Sequence, residues 1–261
     1  MKNTVIKLLN YIIKTRRTYW FTATSKTKAR YARTSLGSFW LGISTLFTVM
    51  CLGFVYGTVL NVSDYKEYFI YLGFGLVIWT PICEAINQAP LIFVNNSSSL
   101  KNSKIKPIFF VCQEWAFQIQ SFFQAFLIVF LAFILISPNL IWNLGFSLIH
   151  FINLFLFIFW VQLLVSLLGT KFSDLFQLLP VITNLLFLLS PILYEKKNLA
   201  AFSFTADFNP VFQVLRLLRD SIIYGDSDIK FGILVFCGNV FFILVSLLMY
   251  RKMEKVIIYY I

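Results

Sequence analysis

Two ionisable side chains inside long apolar stretches are the clearest candidates for chemistry in this chain. Glu84 lies within the stretch Tyr68–Ile86, and His150 lies within the stretch Ile141–Leu168. Ionisable groups at such a depth in a membrane are costly, so they usually serve a proton relay, a transport path or a contact between subunits. Each also has a plainer interpretation, a polar contact or hydrogen bond inside a helix bundle. The sequence leaves both open, including a proton-coupled carrier that uses the two residues together.

The cysteines show no spacing that is typical of a metal site or a disulfide framework. No CxxC pair occurs, and the catalytic patterns HExxH and GxSxG are missing. We therefore predict no metal site and no catalytic residue. Inert thiols are expected at all four cysteines, Cys51, Cys83, Cys112 and Cys237.

The chain has no phosphate-binding loop of the form GxxxxGK[ST]. The nearest string, Gly169-Thr170-Lys171, lacks the upstream glycine and has no hydroxyl residue after the lysine. Such a loop is needed to surround the phosphates of ATP with backbone N–H groups. We therefore expect no cofactor on this chain, and any work done by ATP must come from another protein.

The composition requires a lipid environment. Hydrophobic residues make up 59% of the 261 residues, aromatic residues 19% and charged residues 13%, against roughly 45–50% apolar and about 25% charged in soluble domains. A soluble domain and a disordered chain are both excluded. We predict an all-α polytopic membrane protein, since about 20 helical residues cross a bilayer. Six stretches qualify: Phe39–Leu60, Tyr68–Ile86, Ile108–Ile136, Ile141–Leu168, Phe176–Leu193 and Phe231–Tyr250.

The distribution of positive charge predicts the orientation. With both termini in the cytoplasm, the inner segments carry 16 of the 22 Lys and Arg residues and the outer loops carry six, as the positive-inside rule requires. Nine of these cations, with no carboxylate, lie in the first 38 residues. Their position directly before an apolar run indicates a cytoplasmic flank beside anionic lipid, so no nucleic-acid partner is expected.

The N-terminal segment has the pattern of a basic amphipathic helix. Such a helix lies in the headgroup plane, as a lipid anchor or as a docking surface for another subunit. Polar residues recur at spacings of four and three, and apolar residues fall on the opposite side: Asn3, Lys7, Asn10, Lys14 and Arg17 against Val5, Ile6, Leu9, Ile12 and Ile13.

A second amphipathic helix is predicted in the large outer segment 194–230. Asn209 can cap it, Pro210 suits its first position, and Gly225 can close its end. The apolar residues between Val211 and Ile222 share one face, and the charged residues Arg216, Arg219 and Asp220 are expected to lie away from that face.

Three aromatic residues lie deep in the predicted spans, away from the interfacial belt where Tyr and Trp usually concentrate. These are Tyr56, Trp79 and Trp160. Aromatic rings can stack on sugar rings with little demand for specific hydrogen bonds, as they do on nucleobases. Together with Glu84 they are candidates for a channel lining, although packing between helices explains the same residues.

The sequence before the first span carries a resemblance. It reads Arg30-Tyr31-Ala32-Arg33-Thr34-Ser35-Leu36-Gly37-Ser38-Phe39-Trp40. This resembles the RYR-x-[ST]-x-LG-x-x-W motif of ABC-2 type transmembrane subunits that export bacterial cell-surface polysaccharides such as O-antigen, capsule and teichoic acid. The entry-motif residues are Arg30, Tyr31, Arg33, Leu36, Gly37 and Trp40, of which Arg33 stands at a variable position, and Ala32 replaces the second arginine of the motif. The resemblance extends to the inner loop 95–107 and to Asn209-Pro210 before an amphipathic helix.

That resemblance implies a set of partners. In the family, two copies of the membrane subunit pair with two copies of an ATPase that binds ATP and Mg, and the cargo is a lipid-linked polysaccharide. The inner loop forms a short coupling helix, which here would cover Leu100–Pro107 and include Leu100, Lys101, Asn102, Lys104, Lys106 and Pro107. Outer helices act as a gate, which points to Asn209, Pro210, Arg216 and Arg219.

The predicted organisation has three parts. Residues 1–38 form an N-terminal cytoplasmic basic segment, residues 39–250 form the six-span domain, and residues 251–261 form a cytoplasmic tail. The predicted location is the bacterial cytoplasmic membrane. The alternatives are an ABC-2 exporter of a drug or other lipid, a membrane-embedded transferase, and a proton-coupled carrier.

Overall fold

The computed structural model describes residues 2–226, 228–254 and 256–260, and every regular element in these ranges is helical. Met1, Ser227, Lys255 and Ile261 lie outside the described residues, so the cation predicted for the tail at position 255 is not placed. The α-helices are α1 Lys2–Lys14, α2 Arg16–Arg30, α3 Trp40–Val59, α4 Tyr65–Gln88, α5 Ile92–Asn95, α6 Ser97–Asn102, α7 Ile108–Ile134, α8 Leu140–Asn143, α9 Leu148–Gly169, α10 Leu175–Leu189, α11 Ser203–Asp207, α12 Pro210–Tyr224, α13 Ile229–Met253 and α14 Ile257–Tyr260.

Five helical segments in the described part of the chain are long and apolar enough to cross a membrane. They are Gly37–Val59, Tyr65–Asn95, Ile108–Ile134, Leu148–Gly169 and Ile229–Met253, which confirms the all-α polytopic class. Helix α10, where the fifth of the six spans is predicted, has only 15 residues. A sixth span and the orientation of the termini therefore stay predictions.

Helix α4 is the centre of the bundle. Asp64 begins it by accepting hydrogen bonds from the backbone N–H groups of Lys66 and Glu67, at 2.8 and 3.3 Å. Residues 70–79 are all buried, because α3, α7, α9, α10 and α12 each pack against α4. The sequence of this stretch is apolar on every face, as a helix enclosed by others requires. By contrast, few residues of α3 and α13 are buried.

The first and last described helices, α1 and α14, lie at the same end of the bundle. Leu8 of α1, Leu100 of α6 and Ile257 of α14 are buried in one apolar cluster with the first turns of α7. We call this the proximal end. The opposite, distal end carries residues 60–64, 135–147 and 190–226, above a larger apolar cluster built on α4, α7, α9 and α12.

Helix α10 runs beside α4 from the proximal end towards the distal end. Thr183 donates a hydrogen bond to Asn87 at 3.2 Å near the proximal end of α4. Trp79 packs against Phe187 with ring centroids 5.6 Å apart. The 15 residues of α10 rise roughly 22 Å, less than the roughly 30 Å of a bilayer core. Helix α10 alone is therefore too short to span a bilayer core, and residues 190–194 follow it without regular helical structure.

Two boundaries differ from the predictions. The fourth span begins at Leu148 instead of Ile141, because the short helix α8 and a turn at residues 144–147 precede α9. The N-terminal segment forms two helices with a junction at Thr15. Within α1, Leu8 is buried, whereas Ile6, Leu9 and Ile13 are exposed. This leaves apolar side chains open to a headgroup layer, and an interfacial position of α1 stays a prediction.

Candidate functional site

The inner loop is a short helix followed by an extended strap. Helix α6 covers Ser97–Asn102, and residues 103–106 have no helical structure before α7 begins after Pro107. The prediction of a helix over Leu100–Pro107 was therefore wrong in its bounds, since the helix lies earlier in the chain. Leu100 is buried and anchors α6, while Lys101, Asn102 and Lys104 are exposed. We call residues 97–107 the coupling segment.

The coupling segment is attached to both ends of the chain. The hydroxyl of Tyr250, a buried residue of α13, accepts a hydrogen bond from the backbone N–H of Ile108 at 3.2 Å. The Lys106 ammonium lies 3.6 Å from the Glu254 carboxylate. The backbone N–H of Lys106 also donates to the hydroxyl of Tyr11 in α1, at 3.4 Å. These contacts connect the coupling segment to α1, α7 and the end of α13.

The sequence did not identify Tyr11, Tyr250 or Glu254 as parts of this site. The spacing of four between Tyr250 and Glu254 places them on one face of α13. That spacing is the only signal in the sequence, and it does not name their partners, which lie more than 140 residues away in the chain.

The motif before the first span forms the junction between α2 and α3. Arg30 ends α2, Tyr31 follows as its cap, and Trp40 is the first residue of α3. Gly37 has φ +58°, a left-handed conformation that favours glycine. Arg33, Leu36 and Trp40 are exposed. The motif thus makes the sharp turn that takes the chain from α2 into the first long apolar helix.

Two ion pairs join α2 to the bundle. Lys26 pairs with Glu114 of α7, and the Arg30 guanidinium lies 3.9 Å from the Glu84 carboxylate of α4. The two cations are almost half exposed, whereas the Glu114 side chain is 11% exposed. Burial raises the pKa of the neighbouring Tyr31 phenol, which Arg30 partly opposes. The sequence placed Glu84 inside the second predicted span but did not identify Arg30 as its partner.

These ion pairs border a cavity of about 380 Å³, which we call the proximal cavity. The Lys26 ammonium also lies 4.7 Å from the centroid of the Phe117 ring, and Arg30 lies 5.6 Å from it. The cavity therefore combines both signs of charge with amide groups and an aromatic wall. Its lining residues are Lys26, Arg30, Glu84, Gln88, Glu114, Phe117 and Gln118.

The deep aromatic candidates lie at different places in the bundle. Trp79 is buried against α10, as described above, and Trp160 donates a hydrogen bond to Asn239 at 2.9 Å while it stacks on Phe242 with centroids 4.6 Å apart. Tyr56 of α3 is half-buried. The structure does not bring these three rings together with Glu84 into one path within the chain.

His150 lies far from Glu84. It is fully buried near the distal end, against Gly232 at the start of α13. Neither ring nitrogen has a hydrogen-bond partner among the described residues. Glu84 lies at the proximal end beside Arg30. The two groups are thus separated along the bundle and form no direct relay. Among the described residues, no three His, Cys, Asp or Glu side chains come together in a way that could hold a metal ion.

At the distal end, a set of side chains holds the non-helical chain that follows α10. The Tyr68 hydroxyl donates to the Leu193 carbonyl at 2.6 Å, and the Tyr71 hydroxyl donates to the Pro191 carbonyl at 2.9 Å. Arg219 Nη1 also donates to the Pro191 carbonyl, at 2.8 Å. Irregular backbone at membrane depth is tolerated only where protein or water satisfies its polar groups. We call these three residues, together with Asn209, whose amide donates to Ser190, the distal clamp.

Arg219 is the centre of the distal clamp. Its residue is 3% exposed, its guanidinium lies 3.7 Å from the centroid of the Tyr71 ring, and its Nε donates to Asp220 at 3.1 Å. The expectation that Arg219 points away from the apolar face was wrong, because α4 and the Pro191 carbonyl offer it partners on the buried side. Arg216, by contrast, is half-buried and lies 5.7 Å from the Phe231 ring centroid.

The predicted caps of α12 are confirmed. The Asn209 side chain accepts hydrogen bonds from the backbone N–H groups of Val211 and Phe212, at 3.0 and 3.3 Å, and Pro210 is the first helical residue. The Asn209 amide also donates to Ser190 at 2.8 Å. Gly225 closes the helix with φ +67°. Asn209 therefore both begins α12 and joins it to the chain after α10.

The five long apolar helices in the described part of the chain are those of a multi-pass membrane protein. Residues 18–223 match the family described as ABC-2 type transporter. The chain belongs to this family, whose members are transmembrane subunits and not enzymes by themselves, and it is a multi-pass protein of the inner membrane.

Two relatives sharpen the comparison. The chain is 24% identical over 232 residues to an O-antigen export system permease protein RfbA of Klebsiella pneumoniae, covering 87% of this chain and 88% of the relative. It is 23% identical over 235 residues to a second protein of the same name and organism, with the same coverage of both chains.

Proposed function

We propose that this chain is the membrane subunit of an ATP-driven exporter of a lipid-linked cell-surface polysaccharide. The observation that carries this proposal is the similarity, along most of the chain, to permeases named for O-antigen export. In this proposal the proximal end faces the cytoplasm, and ATP and Mg bind to a separate ATPase. Helix α10 with residues 190–194 makes one crossing in addition to the five long helices, which brings the total to six. No cofactor is bound by the chain itself.

The coupling segment is the proposed contact with the ATPase. It presents the exposed Lys101, Asn102 and Lys104, and a cationic surface docks most readily on an acidic cleft. Its ties through Tyr250 and Glu254 to α13 and through Tyr11 to α1 supply the mechanical connection. Closure of two ATPase subunits would displace the segment and bias the helices between a sealed and an open arrangement.

A homodimer completes the proposed exporter. Few residues of α3 and α13 are buried, and α10 also carries exposed apolar residues such as Phe176, Val181 and Leu185. These faces need either lipid or a second copy, and a conduit for a polymer is wider than the packed interior of one chain. Light scattering of the purified complex in detergent measures its mass. We expect a mass that corresponds to two copies of this chain with two ATPase subunits.

The competing functions lack a supporting observation. A proton-coupled carrier that uses Glu84 and His150 together needs a path between them, and the two groups lie at opposite ends of the bundle. Such a carrier would lose all activity in a Glu84→Gln variant, whereas an ATP-driven exporter keeps part of it. A transferase would turn over its substrate as a purified single chain. Export of a drug or other lipid is tested by identifying which molecule stays inside cells that lack this chain.

The direct test combines deletion with copurification. Deleting this chain in its own cells should leave the polysaccharide inside the cytoplasmic membrane, and the affinity-purified chain should bring down a protein with a GxxxxGK[ST] loop. Normal surface polysaccharide after deletion would contradict the proposed cargo. Copurification without any ATPase would contradict the proposed energy source.

Charge reversal tests the docking surface. Lys104→Glu should reduce the amount of ATPase that copurifies with this chain, because the segment would repel an acidic cleft. It should also reduce the increase in ATP hydrolysis that accompanies transport. Lys252→Glu is the matched control, since Lys252 is an exposed cation at the same end of the bundle but outside the coupling segment. Equal losses in both variants would contradict the assignment of residues 97–107.

A further inference from the structure

Three polar side chains along one face of α7 have atoms without hydrogen-bond partners among the described residues. They are Gln118, with both amide atoms unpaired, Ser121 and Gln124. Gln118 is 1% exposed and Ser121 is 7% exposed. Leaving such a group unpaired costs about 1–3 kcal/mol, so buried polar atoms are almost always satisfied. A row of them, at spacings of three residues, indicates that something else supplies their partners.

The first of these residues is the floor of the proximal cavity. Gln118 lines the cavity of about 380 Å³, and it also lines a smaller recess of about 20 Å³ behind it. Thr45, Thr80 and Ser121 face the same recess, as does Glu84. The recess is the size of one water molecule. A polar path therefore leads from the two ion pairs of α2 to Gln118 and then between α3, α4 and α7.

The charges around the cavity select the kind of ligand. Lys26 is paired with Glu114, and Arg30 with Glu84, so the four ionised groups cancel in formal charge. A phosphate would be repelled by two carboxylates, and a metal ion would be repelled by two cations. A charged ligand of either sign therefore gains no net electrostatic binding energy from the four groups together. A neutral ligand has no such penalty.

The hydrogen-bonding groups narrow the choice further. Ammonium and guanidinium groups only donate, carboxylates only accept, and the amides of Gln88 and Gln118 do both. Hydroxyl groups are the partners that match such a mixture, because each one donates and accepts. The volume lies within the range of small-molecule sites and holds a ligand with several hydroxyls.

We propose that the proximal cavity binds a neutral sugar residue of the transported glycan, with the unpaired amide of Gln118 as its deepest hydrogen-bonding partner. This inference rests on the proposed function, since it names the part of the chain that holds the cargo before it crosses. The ion pairs form the walls of the site, and Gln118 is its floor.

Photocrosslinking in cells that make the polysaccharide tests the site with the native cargo. The photoreactive amino acid p-benzoylphenylalanine replaces Gln88, which is exposed and lines the cavity. The control position is Val94, which is also exposed near the proximal end but does not line the cavity. We expect a glycan-bearing adduct from position 88 and none from position 94. The adduct should disappear in cells that lack the first glycosyltransferase of the polysaccharide.

A second pair of variants separates recognition from folding. Gln118→Leu, in the chain with the photoreactive group at position 88, should reduce the glycan adduct roughly tenfold, because one sugar hydroxyl loses its partner. Gln162→Leu is the matched control, since Gln162 is fully buried and unpaired as well but lies on α9, outside the cavity. The control should keep the adduct at its original yield.

The outcomes distinguish this inference from the exporter proposal. If deletion of the chain traps the polysaccharide but position 88 gives no glycan adduct, or gives only phospholipid adducts, the sugar site is refuted and the exporter stands. An equal loss of adduct in Gln118→Leu and Gln162→Leu also refutes the role of Gln118. If deletion traps no polysaccharide, the exporter proposal itself fails.

Discussion

The two ends of the bundle use arginine in opposite ways. At the distal end, Arg219 is 3% exposed and is held by the Pro191 carbonyl, the Asp220 carboxylate and the Tyr71 ring. At the proximal end, Arg30 is almost half exposed, and its nearest carboxylate oxygen, on Glu84, lies 3.9 Å away. One guanidinium is enclosed by fixed partners, and the other lies at the edge of a cavity.

This difference indicates which end of the bundle can rearrange its contacts at low cost in free energy. Buried charges that lose a partner cost several kcal/mol, so the distal clamp has one stable arrangement. The partly exposed pair of Arg30 and Glu84 contributes about 0–1 kcal/mol, so Arg30 can exchange Glu84 for another partner at low cost. The end proposed to receive the ATPase and the cargo is the end with the weaker arginine contact.

The largest effect is expected at Arg219. Arg219→Ala removes a charged hydrogen bond to the Pro191 carbonyl and leaves a void against Tyr71, which should lower the free energy of unfolding by about 3 kcal/mol. In a protein of this size that corresponds to a decrease in Tm of roughly 6–12 °C, measured in detergent by thermal unfolding. Arg216→Ala, at the half-buried position on the same helix, is the control and should change Tm little. Equal decreases in both variants would show that the clamp has no special stability.

The second prediction compares two left-handed glycines, one at each end. Gly225→Ala should cost about 2 kcal/mol, because φ +67° is unfavourable for alanine and the added methyl meets the Asn143 side chain at 2.7 Å. That side chain cannot move freely, since it donates to the carbonyls of Ile222 and Ile223.

Gly37→Ala is the proximal counterpart. Its φ is +58°, but nothing lies within 4 Å of the added methyl, so only the backbone cost of about 1 kcal/mol remains. Thermal unfolding of both variants measures the difference. A larger loss at Gly37 than at Gly225 would reverse the comparison between the two ends.

The third prediction concerns the tie between α13 and the coupling segment. Tyr250→Phe deletes the hydroxyl that accepts from the buried N–H of Ile108, which should cost about 1 kcal/mol and lower the stimulation of the ATPase by cargo. Tyr259→Phe is the control, because Tyr259 is 87% exposed. ATPase assays on the reconstituted complex and thermal unfolding check the two effects. Unchanged coupling in Tyr250→Phe would remove α13 from the proposed mechanical connection.

The smallest effect is expected for the pair Arg30 and Glu84. A double-mutant cycle with Arg30→Gln and Glu84→Gln should give an interaction energy of about 0.5 kcal/mol, as measured for exposed ion pairs. The free energies of unfolding of the two single variants and the double variant provide the cycle. A value near 2 kcal/mol would make this proximal contact as strong as the distal ones and would contradict the difference between the two ends.

Local signals in the sequence predicted the helices well. Asn209 and Pro210 begin α12 where their side chains and ring geometry favour a helix start, and Gly225 ends it. Long apolar runs likewise located the five long helices, because a span needs only length and hydrophobicity. The bounds of α6 were missed because residues 97–107 form a short and polar segment. In such a segment neither periodicity nor length distinguishes a helix from extended chain.

Contacts between distant residues could not be predicted in the same way. The burial of Arg219 depends on Tyr71, which lies on a different helix, and an arginine in an outer loop is usually exposed. The ion pairs from α2 to Glu84 and Glu114 also depend on how α2 packs against α4 and α7. The unpaired state of Gln118 is a property of the packed bundle, and a glutamine in an apolar helix does not reveal it.

The shortness of α10 has a consequence for the surrounding lipid. In the proposed exporter, a helix that rises roughly 22 Å leaves about 8 Å of an ordinary hydrocarbon layer to the non-helical residues 190–194. Lipid tails beside these residues would meet irregular backbone instead of a regular helix surface. The carbonyl groups of Pro191 and Leu193 accept hydrogen bonds from protein side chains, which spares them contact with the hydrocarbon.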